Sequence, residues 1–256
     1  MRVAIVTGAS RGIGAAFANQ LGETRPDVDE IWCISRSCKD GSFSKKAGGF
    51  PNQGPRFRYL RLDQSDEDFG DKLQSYVKQQ HATIVYLILN AAYANFGDIN
   101  RQDFAHVNQM IQTNIRGTVA AVYSLKDLFE KNSHIILVSS ISTVAPTPGL
   151  AVYTASKAFI RHWGISLREE LKPYGVSVTI CYPGKVESKA LQDVVKQSGS
   201  VKLRLMPNQN LKYFVQRTLC AAERGQAEVA PGIYGLVMAL FKVLPRRAIA
   251  RMGSLV

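Results

Sequence analysis

TGASRGIG, residues 7–14, is the stretch that decides how this chain of 256 residues folds. It directly follows residues 2–7, a continuous apolar run with the β-branched side chains typical of a strand buried on both faces. A helical pattern over about residues 12–22 comes next. Glycines permit positive φ and close approach of a pyrophosphate, and a helix N-terminus offers free N–H groups to an anion. The placement favours a dinucleotide-binding turn, and a tight turn without ligand is the alternative.

Strand and helix patterns alternate along the rest of the chain. This alternation predicts one doubly wound Rossmann-type α/β domain over residues 1–256, with a parallel sheet covered by helices on both faces. Ligands bind such sheets at the carboxyl ends of the strands. Residues 37–55, rich in Gly, Ser and Lys, are expected to form a surface loop. The further strands are predicted at 30–35, 57–62, 83–89, 134–139 and 176–182, and the further helices at 65–79, 101–131 and 151–173.

Composition excludes several classes of protein. A hydrophobic share of 46% supports a substantial core, and no run reaches the roughly 18 apolar residues that span a bilayer. Residues 1–7 are too short for a signal-peptide core, so we expect the first strand there. The four cysteines match no zinc or redox motif and indicate a reducing, cytoplasmic compartment. The four histidines are scattered, so no metal site is expected.

The net charge of +12 raises the question of nucleic-acid binding. The basic residues are spread over the whole chain, however, and no basic helix, zinc finger or aromatic RNA-binding signature is present. A basic surface that attracts an anionic cofactor is therefore the favoured interpretation, and we expect no nucleic-acid partner.

The spacing G-x-x-x-G-x-G resembles the short-chain dehydrogenase/reductase family, in which TGxxxGxG follows the first strand. Over about residues 1–190 the other family motifs follow in the expected order. With ten tyrosines in the chain a Tyr-x-x-x-Lys pair alone proves little, so the ordered set carries the resemblance. Its members are Asn90-Ala91-Ala92 after the fourth strand, Asn114 in the next helix, Ser140 after the fifth strand, Tyr153 and Lys157, and Pro183-Gly184 with Val186 and Ser188 after the sixth strand.

The resemblance implies an oxidoreductase that interconverts a carbonyl and an alcohol by hydride transfer, with Asn114, Ser140, Tyr153 and Lys157 as catalytic residues. Tyr153 would be the general acid–base. Lys157, four residues later on the same helix face, would lower the pKa of that tyrosine. Ser140 would polarise the substrate oxygen, and Asn114 would support a water-linked proton path.

Each of these roles has an alternative. Tyr153 could pack its helix, Ser139 could carry the active hydroxyl, and Asn114 could only tie down its helix. The family spacing favours Ser140 over Ser139, and alternation along a strand would point the two serines in opposite directions. A dinucleotide-binding sensor without catalysis is the competing class of function, and the full catalytic set argues against it.

The second strand ends Ser35-Arg36-Ser37 without the acid that would bind an NAD ribose, so we expect NADP(H) over NAD(H). Arg36 and Arg11 would flank the extra phosphate, and Asp63 would contact the adenine amine as in the family. The predicted cofactor-binding residues are Gly8, Ser10, Arg11, Gly12, Ile13, Gly14, Ser35, Arg36, Ser37, Asp63, Asn90, Ala91, Ala92, Tyr153, Lys157, Pro183, Gly184, Val186 and Ser188.

Three regions depart from the family pattern or stay open. Tyr93 stands where the NAG-type motif ends in glycine, which brings an aromatic ring near the cofactor or alters the local backbone. Residues 184–207 are a candidate substrate lid. Its apolar side chains favour a lipophilic ketone or alcohol: Leu191, Val194, Val195, Leu203, Leu205 and Met206.

The third region is the C-terminal segment 233–256, where an apolar run from Ile233 to Leu244 is broken only by Lys242 and is followed by Pro245-Arg246-Arg247. It could lie in a membrane interface, cover the substrate pocket or pack between subunits, and peripheral membrane contact is the least favoured of these. The resemblance also implies a homodimer or homotetramer assembled through the two long helices.

Overall fold

The computed structural model describes residues 1–37, 43–44, 54–186, 195–196, 206–243, 245, 247 and 249–250. Within these residues strands and helices alternate as the sequence predicts. In chain order they are β1 (Arg2–Thr7), α1 (Gly12–Thr24), β2 (Glu30–Ser35), β3 (Phe43–Ser44), β4 (Arg56–Arg61), α2 (Phe69–Gln79), β5 (Thr83–Leu89), α3 (Phe104–Ile111), α4 (Gly117–Leu125), β6 (Phe129–Val138), α5 (Ala151–Leu171), β7 (Ser177–Cys181), α6 (Leu211–Glu223), β8 (Glu228–Val229) and α7 (Ile233–Val243).

The strands form one sheet in the order β3-β4-β2-β1-β5-β6-β7-β8. Neighbouring strands are parallel except for the short β3, which pairs antiparallel with β4 at the edge. The predicted doubly wound α/β fold is therefore confirmed. The chain runs outward from β1 to β2 and β4 and then returns to β5, so the strand order reverses between β1 and β5. Ligands of such sheets bind at this crevice.

Helices cover both faces of the sheet and bury two apolar clusters. On one face α2, α4 and α5 pack against side chains such as Trp32 and Leu137. On the other face α1 and α6 pack through Phe17 and Phe214, whose rings meet edge to face at 6.3 Å between centroids. The central strands are buried from both sides, which explains why their sequences are continuously apolar rather than alternating.

The largest correction to the predicted elements lies between residues 101 and 139. The helix predicted over about 101–131 is shorter in the structure: α3 continues through a π-helical turn at Gln112–Arg116 into α4, which ends at Leu125, and a 3₁₀ turn precedes β6 at Phe129. Residues 130–133 are polar, so the sequence carries no apolar run that marks the start of this strand. They enter the sheet irregularly, with a register shift against β5 and a positive φ of 68° at Asn132.

Smaller differences occur elsewhere. The second helix begins at Phe69 rather than at residue 65, and the predicted loop 37–55 contains the two-residue strand β3. The apolar run that starts at Ile233 forms α7. No pattern had indicated α6 or β8, which follow the candidate lid in the chain.

Candidate active site

The glycine turn after β1 is closely packed on one side and open on the other. Gly8 has a φ of +66°, and a Cβ on Gly14 would lie 2.3 Å from the Gly8 carbonyl oxygen, so only glycine fits at Gly14. Gly12 has a φ of +58°, and a Cβ built there meets nothing within 4 Å. Arg11 precedes α1 in extended conformation without capping it through its side chain, and the first turn of α1 carries no acid. The turn therefore presents free N–H groups and open space to an anion.

Asn90, at the end of β5, braces this turn. Its Nδ2 donates to the carbonyl oxygens of Thr7 at 3.0 Å and Gly8 at 3.2 Å. In return, the buried Thr7 hydroxyl accepts from the backbone N–H groups of Asn90 and Ala91 at 3.1 and 3.0 Å. The strand ends on either side of the crevice are thereby locked together, and Thr7 joins the set of residues that shape the nucleotide turn.

The end of β2 carries the cation that the sequence assigns to a phosphate. Ser35 is buried, whereas Arg36 and Ser37 are exposed, as are Ser10 and Arg11 in the glycine turn. The Arg36 Nε lies 3.8 Å from Asp63 Oδ2, with 59% of the arginine side chain accessible. The other oxygen of Asp63 accepts from the N–H and hydroxyl of Ser65 at 2.9 and 2.7 Å. Arg36 is thus loosely tethered and available to a ligand.

The two serines after β6 have different environments. Ser139 is buried, and its hydroxyl contacts Thr143 Oγ1 at 2.7 Å and donates to the Lys157 carbonyl at 2.9 Å. Ser140 is half-buried and accepts from the Ser142 N–H at 3.2 Å. It also forms a side-chain hydrogen bond with Tyr153. The two hydroxyls therefore have different partners, and Ser140 is the one that lies against Tyr153.

Tyr153 and Lys157 lie on one face of α5, with the Lys157 Nζ 5.9 Å from the centre of the tyrosine ring. Burial raises the pKa of Tyr153, and the hydrogen bond with Ser140 opposes that rise. Desolvation of the hydroxyl therefore dominates the pKa of Tyr153 in the structure, and the expected lowering by Lys157 stays a prediction. The lysine ammonium instead donates to the Val138 carbonyl at 2.9 Å, and burial lowers its own pKa to about 8.

Asn114 lies in the π-helical turn, buried between the segment after β5 and helix α5. Its Nδ2 donates to Ser156 Oγ at 3.0 Å, and the Ser156 hydroxyl donates to the Tyr153 carbonyl at 2.7 Å. The amide also bonds the backbone of Tyr93. The Tyr93 hydroxyl reaches His106 Nδ1 at 2.7 Å. Asn114 is thereby connected to the helix that carries Tyr153.

The residues after β7 are tied to the C-terminal part of the chain. A Cβ on Gly184 would lie 2.1 Å from the Tyr234 ring, and the Gly184 N–H donates to Gln209 Oε1 at 2.7 Å. The Pro183 carbonyl accepts from Ile141, and Val186 is half-buried. The predicted cofactor residue Ser188 and most of the candidate lid lie outside the described residues, including Leu191, Val194, Leu203 and Leu205.

Four contact residues were absent from the predicted set: Thr7, Ser156, Gln209 and Tyr234. Thr7 and Ser156 had a signal in the sequence, since both are polar residues inside motifs otherwise packed against the core. Gln209 and Tyr234 had none, because each meets Gly184 across 25 or more residues of chain.

A cleft of about 810 Å³ lies between residues 142–148, α5 and α7. Its α5 side is formed by Ala151, Thr154, Ala155, Ala158, Arg161 and His162. Ser140, Tyr153 and Lys157 do not line the cleft, but its wall includes Ser142 and Thr143, which bond the two serines after β6.

Among the described residues no three His, Cys, Asp or Glu side chains cluster as metal ligands would. None of the helices in this described part combines the length and hydropathy that crossing a bilayer requires.

A family model described as short chain dehydrogenase matches residues 2–199. Among curated proteins, an uncharacterised oxidoreductase of Bacillus subtilis is 29% identical over 193 residues, covering 73% of this chain and 66% of that protein. A very-long-chain 3-oxoacyl-CoA reductase of Coccidioides immitis is 29% identical over 223 residues, or 84% of this chain and 60% of that protein. The chain thus spans just under two thirds of the length of these relatives.

Among solved structures, a short chain dehydrogenase from Burkholderia cenocepacia in complex with NADP superposes with a TM-score of 0.74 at 25% identity. The match covers 98% of this chain and 96% of that one.

Proposed function

This chain belongs to the short-chain dehydrogenase/reductase family, and from that premise we propose that it is an NADP(H)-dependent oxidoreductase interconverting a carbonyl and an alcohol. Tyr153 is the general acid–base in this proposal. The observation that carries it is the contact of the half-buried Tyr153 with Ser140 at the carboxyl end of β6, beside the buried Lys157 ammonium. The tyrosine hydroxyl is the proton source, and Ser140 orients the substrate oxygen by donating a hydrogen bond.

The raised pKa of Tyr153 keeps its phenol protonated at neutral pH. A protonated phenol donates a proton to the oxyanion that develops when a carbonyl carbon accepts a hydride. Reduction of a carbonyl is therefore the direction for which the resting state of Tyr153 is prepared. In the reverse direction the hydroxyl must first lose its proton, and the burial that raises its pKa opposes this.

Lys157 stabilises negative charge on the tyrosine as it forms. Its ammonium is held by the Val138 carbonyl at 2.9 Å, and a pKa of about 8 leaves it mostly protonated at neutral pH. A positive charge 5.9 Å from the ring in a buried site favours phenolate more than the same charge would in water. The ammonium also remains close enough to the strand ends to contact a bound cofactor.

The residues of the crevice fit NADP(H), which supplies the hydride when bound. The uncapped N-terminus of α1 and the open side of Gly12 suit a pyrophosphate. The exposed Arg11 and the loosely tethered Arg36 suit a 2′-phosphate, and β2 ends without an acid. The NADP carried by the 25% identical Burkholderia cenocepacia structure supports the same choice.

The substrate class in this proposal is a lipophilic ketone or secondary alcohol. It rests on the apolar composition of the candidate lid and on the printed activity of the Coccidioides immitis relative. A homodimer or homotetramer is part of the proposal, supported by apolar side chains exposed on α3, α4 and α5: Ile111, Tyr123, Phe159 and Ile165. The reducing, cytoplasmic compartment stays a proposal that rests on cysteine usage.

The test is a panel of long-chain and aromatic carbonyls with NADPH oxidation followed by absorbance. Replacing Tyr153 by Phe should lower kcat by about 10²-fold or more while NADPH binding persists, because only the proton source is removed. Tyr174→Phe, at an exposed tyrosine in another part of the chain, is the matched control and should keep full turnover. Near-normal turnover by the Tyr153→Phe variant would contradict the proposed role of Tyr153 as general acid–base. Tight NADPH binding without turnover on any substrate would favour a sensor.

A further inference from the structure

Helix α7 presents an apolar face to solvent, and we propose that this face docks the protein on an anionic phospholipid surface. The docking face consists of Ile233, Leu236, Leu240 and Val243, which are 57%, 74%, 56% and 78% exposed. Their spacing of three, four and three residues places them on one side of the helix. Four large apolar side chains this exposed in one row are a marker of an interaction surface.

The opposite side of α7 packs against the rest of the protein, so the helix is already held in place and only the docking face is exposed. Tyr234 is buried over Gly184 and donates its hydroxyl proton to the Pro207 carbonyl. Met238 lies in the core cluster beneath the sheet-covering helices. The orientation of α7 is therefore set by its inner side, and the docking face is held outward.

Tyr213, at the start of α6, extends the docking face. Its ring comes within 4.0 Å of the position that a Cβ would take at Gly232, directly before α7, and about half of its side chain is exposed. Tyrosine suits the boundary between headgroups and acyl chains, because its ring is apolar and its hydroxyl is polar.

The positive charge of this part of the chain favours an anionic partner for the docking face. Residues 206–256 contain seven Lys and Arg but only two acidic residues, Glu223 and Glu228. Both carboxylates are paired with arginines of this chain, Glu223 with Arg25 at 2.9 Å and Glu228 with Arg161 at 2.8 Å. The described cations Lys212, Arg217 and Arg247 are exposed. A second copy of the same face would bring like charges together, whereas anionic headgroups attract cations.

This proposal does not depend on the proposed reaction, since no catalytic residue belongs to the docking face. It requires a surface helix that lies in the interface rather than one that spans a bilayer, and the 11 residues of α7 suit the former. Shallow insertion of apolar side chains with flanking cations predicts binding that needs acidic lipid and weakens with salt.

The test is sedimentation of the full chain with vesicles of phosphatidylcholine and phosphatidylserine in equal parts, against vesicles of phosphatidylcholine alone. The protein should sediment with the acidic vesicles only, and raising salt from about 0.1 M to about 1 M should release it. The Leu236→Glu/Leu240→Glu variant should lower partitioning more than about tenfold, because burial of one leucine alone corresponds to about that factor. Ile99→Glu, at an isolated side chain 94% exposed, is the matched control and should bind normally.

Three outcomes would overturn the proposal. The first is wild-type protein that stays in the supernatant with acidic vesicles. The second is unchanged binding by the double glutamate variant. The third is a smaller oligomer of that variant by light scattering, which would make the face a contact between subunits. Should the double variant fail to fold, Arg247→Glu serves instead and must weaken binding to acidic vesicles at low salt.

Discussion

The side chain of Asn114 holds the main chain of Tyr93 at both of its polar groups. Asn114 Oδ1 accepts from the Tyr93 N–H at 2.8 Å, and Asn114 Nδ2 donates to the Tyr93 carbonyl at 2.9 Å. Tyr93 directly follows the Asn90-Ala91-Ala92 motif. The clamp gives this position a defined backbone. Because Ser156 continues the network to the Tyr153 carbonyl, Asn114 also positions the helix of the proposed general acid.

Replacing Asn114 by Ala should therefore lower both stability and turnover. The substitution leaves the partly buried N–H and carbonyl of Tyr93 without this partner, at a cost of roughly 1–3 kcal/mol in the free energy of unfolding. Urea denaturation measures that loss, and NADPH oxidation measures the fall in kcat. Asn108→Ala, at an exposed asparagine of α3, is the control and should change neither. An unchanged urea midpoint for the Asn114 variant would show that the clamp contributes nothing.

The two serines after β6 should separate stability from catalysis. Ser139→Ala removes the buried hydrogen bond to the Lys157 carbonyl and should cost about 1–3 kcal/mol of stability. Ser140→Ala removes the group proposed to polarise the substrate, so kcat should fall by about 10²–10³-fold with little change in stability. Thermal unfolding and steady-state kinetics on both variants give the comparison. The reverse pattern would indicate that Ser139, and not Ser140, carries the catalytic hydroxyl.

The sequence predicts the sheet well because its strands are buried on both faces. The bounds of β1, β2 and β5 agree residue for residue with the predicted ranges, since an uninterrupted apolar run marks both ends of such a strand. β6 was placed five residues late, because its first part carries polar residues and follows an irregular path. The π-helical turn that holds Asn114 has no periodicity signal, since it keeps the helix polar and apolar pattern around it.

Within the site, motif spacing predicts which residues lie together but not how their pKa values shift. Ser140, Tyr153 and Lys157 lie together as expected, yet the pKa of Tyr153 rises. Its direction depends on how completely neighbouring elements exclude water, and these elements are distant in sequence. The Val138 carbonyl, which accepts a hydrogen bond from the Lys157 ammonium, could not be predicted from motif spacing either, because a backbone oxygen has no sequence signature.

Gly12 and Gly225 form a natural pair for testing the nucleotide turn. Both have positive φ, +58° and +64°, and a Cβ on either meets nothing within 4 Å. Alanine at each should cost about 1–2 kcal/mol of stability through the same backbone strain. Only Gly12→Ala should also weaken NADPH binding, because its Cβ enters the space proposed for the pyrophosphate. Titration of NADPH fluorescence on both variants decides this, and equal affinities would place the pyrophosphate elsewhere.

Arg36 should determine the preference between the two dinucleotides. Arg36→Asp removes a cation that can pair with a 2′-phosphate and introduces an acid that repels it while accepting from a ribose hydroxyl. The ratio of kcat/KM for NADPH to that for NADH should fall by about tenfold or more, corresponding to about 1.4 kcal/mol. Arg101→Asp, at a largely exposed arginine, controls for net charge. An unaltered ratio in the Arg36 variant would remove this residue from the cofactor site.

Lys157 should make the stability of the fold rise with pH. Burial lowers its pKa from 10.5 to about 8, so between these values the folded protein has released a proton that the unfolded chain still binds. Stability increases with pH wherever the unfolded state binds more protons, here by up to about 3 kcal/mol for a shift of this size. Lys157→Met should abolish this dependence of stability on pH, although it also leaves the Val138 carbonyl without its hydrogen-bond donor. The stability of the Met variant relative to wild type should therefore be highest near neutral pH and fall toward pH 10.5.

Urea denaturation of both proteins at about pH 7 and about pH 10 measures this difference. Lys172→Met, at a lysine whose side chain is 75% exposed, should show no comparable change with pH. A constant difference between wild type and the Lys157 variant across this range would mean that the buried ammonium is stabilised as fully as in water. The Val138 carbonyl and the tyrosine ring would then compensate its desolvation, and the charge near Tyr153 would persist to higher pH.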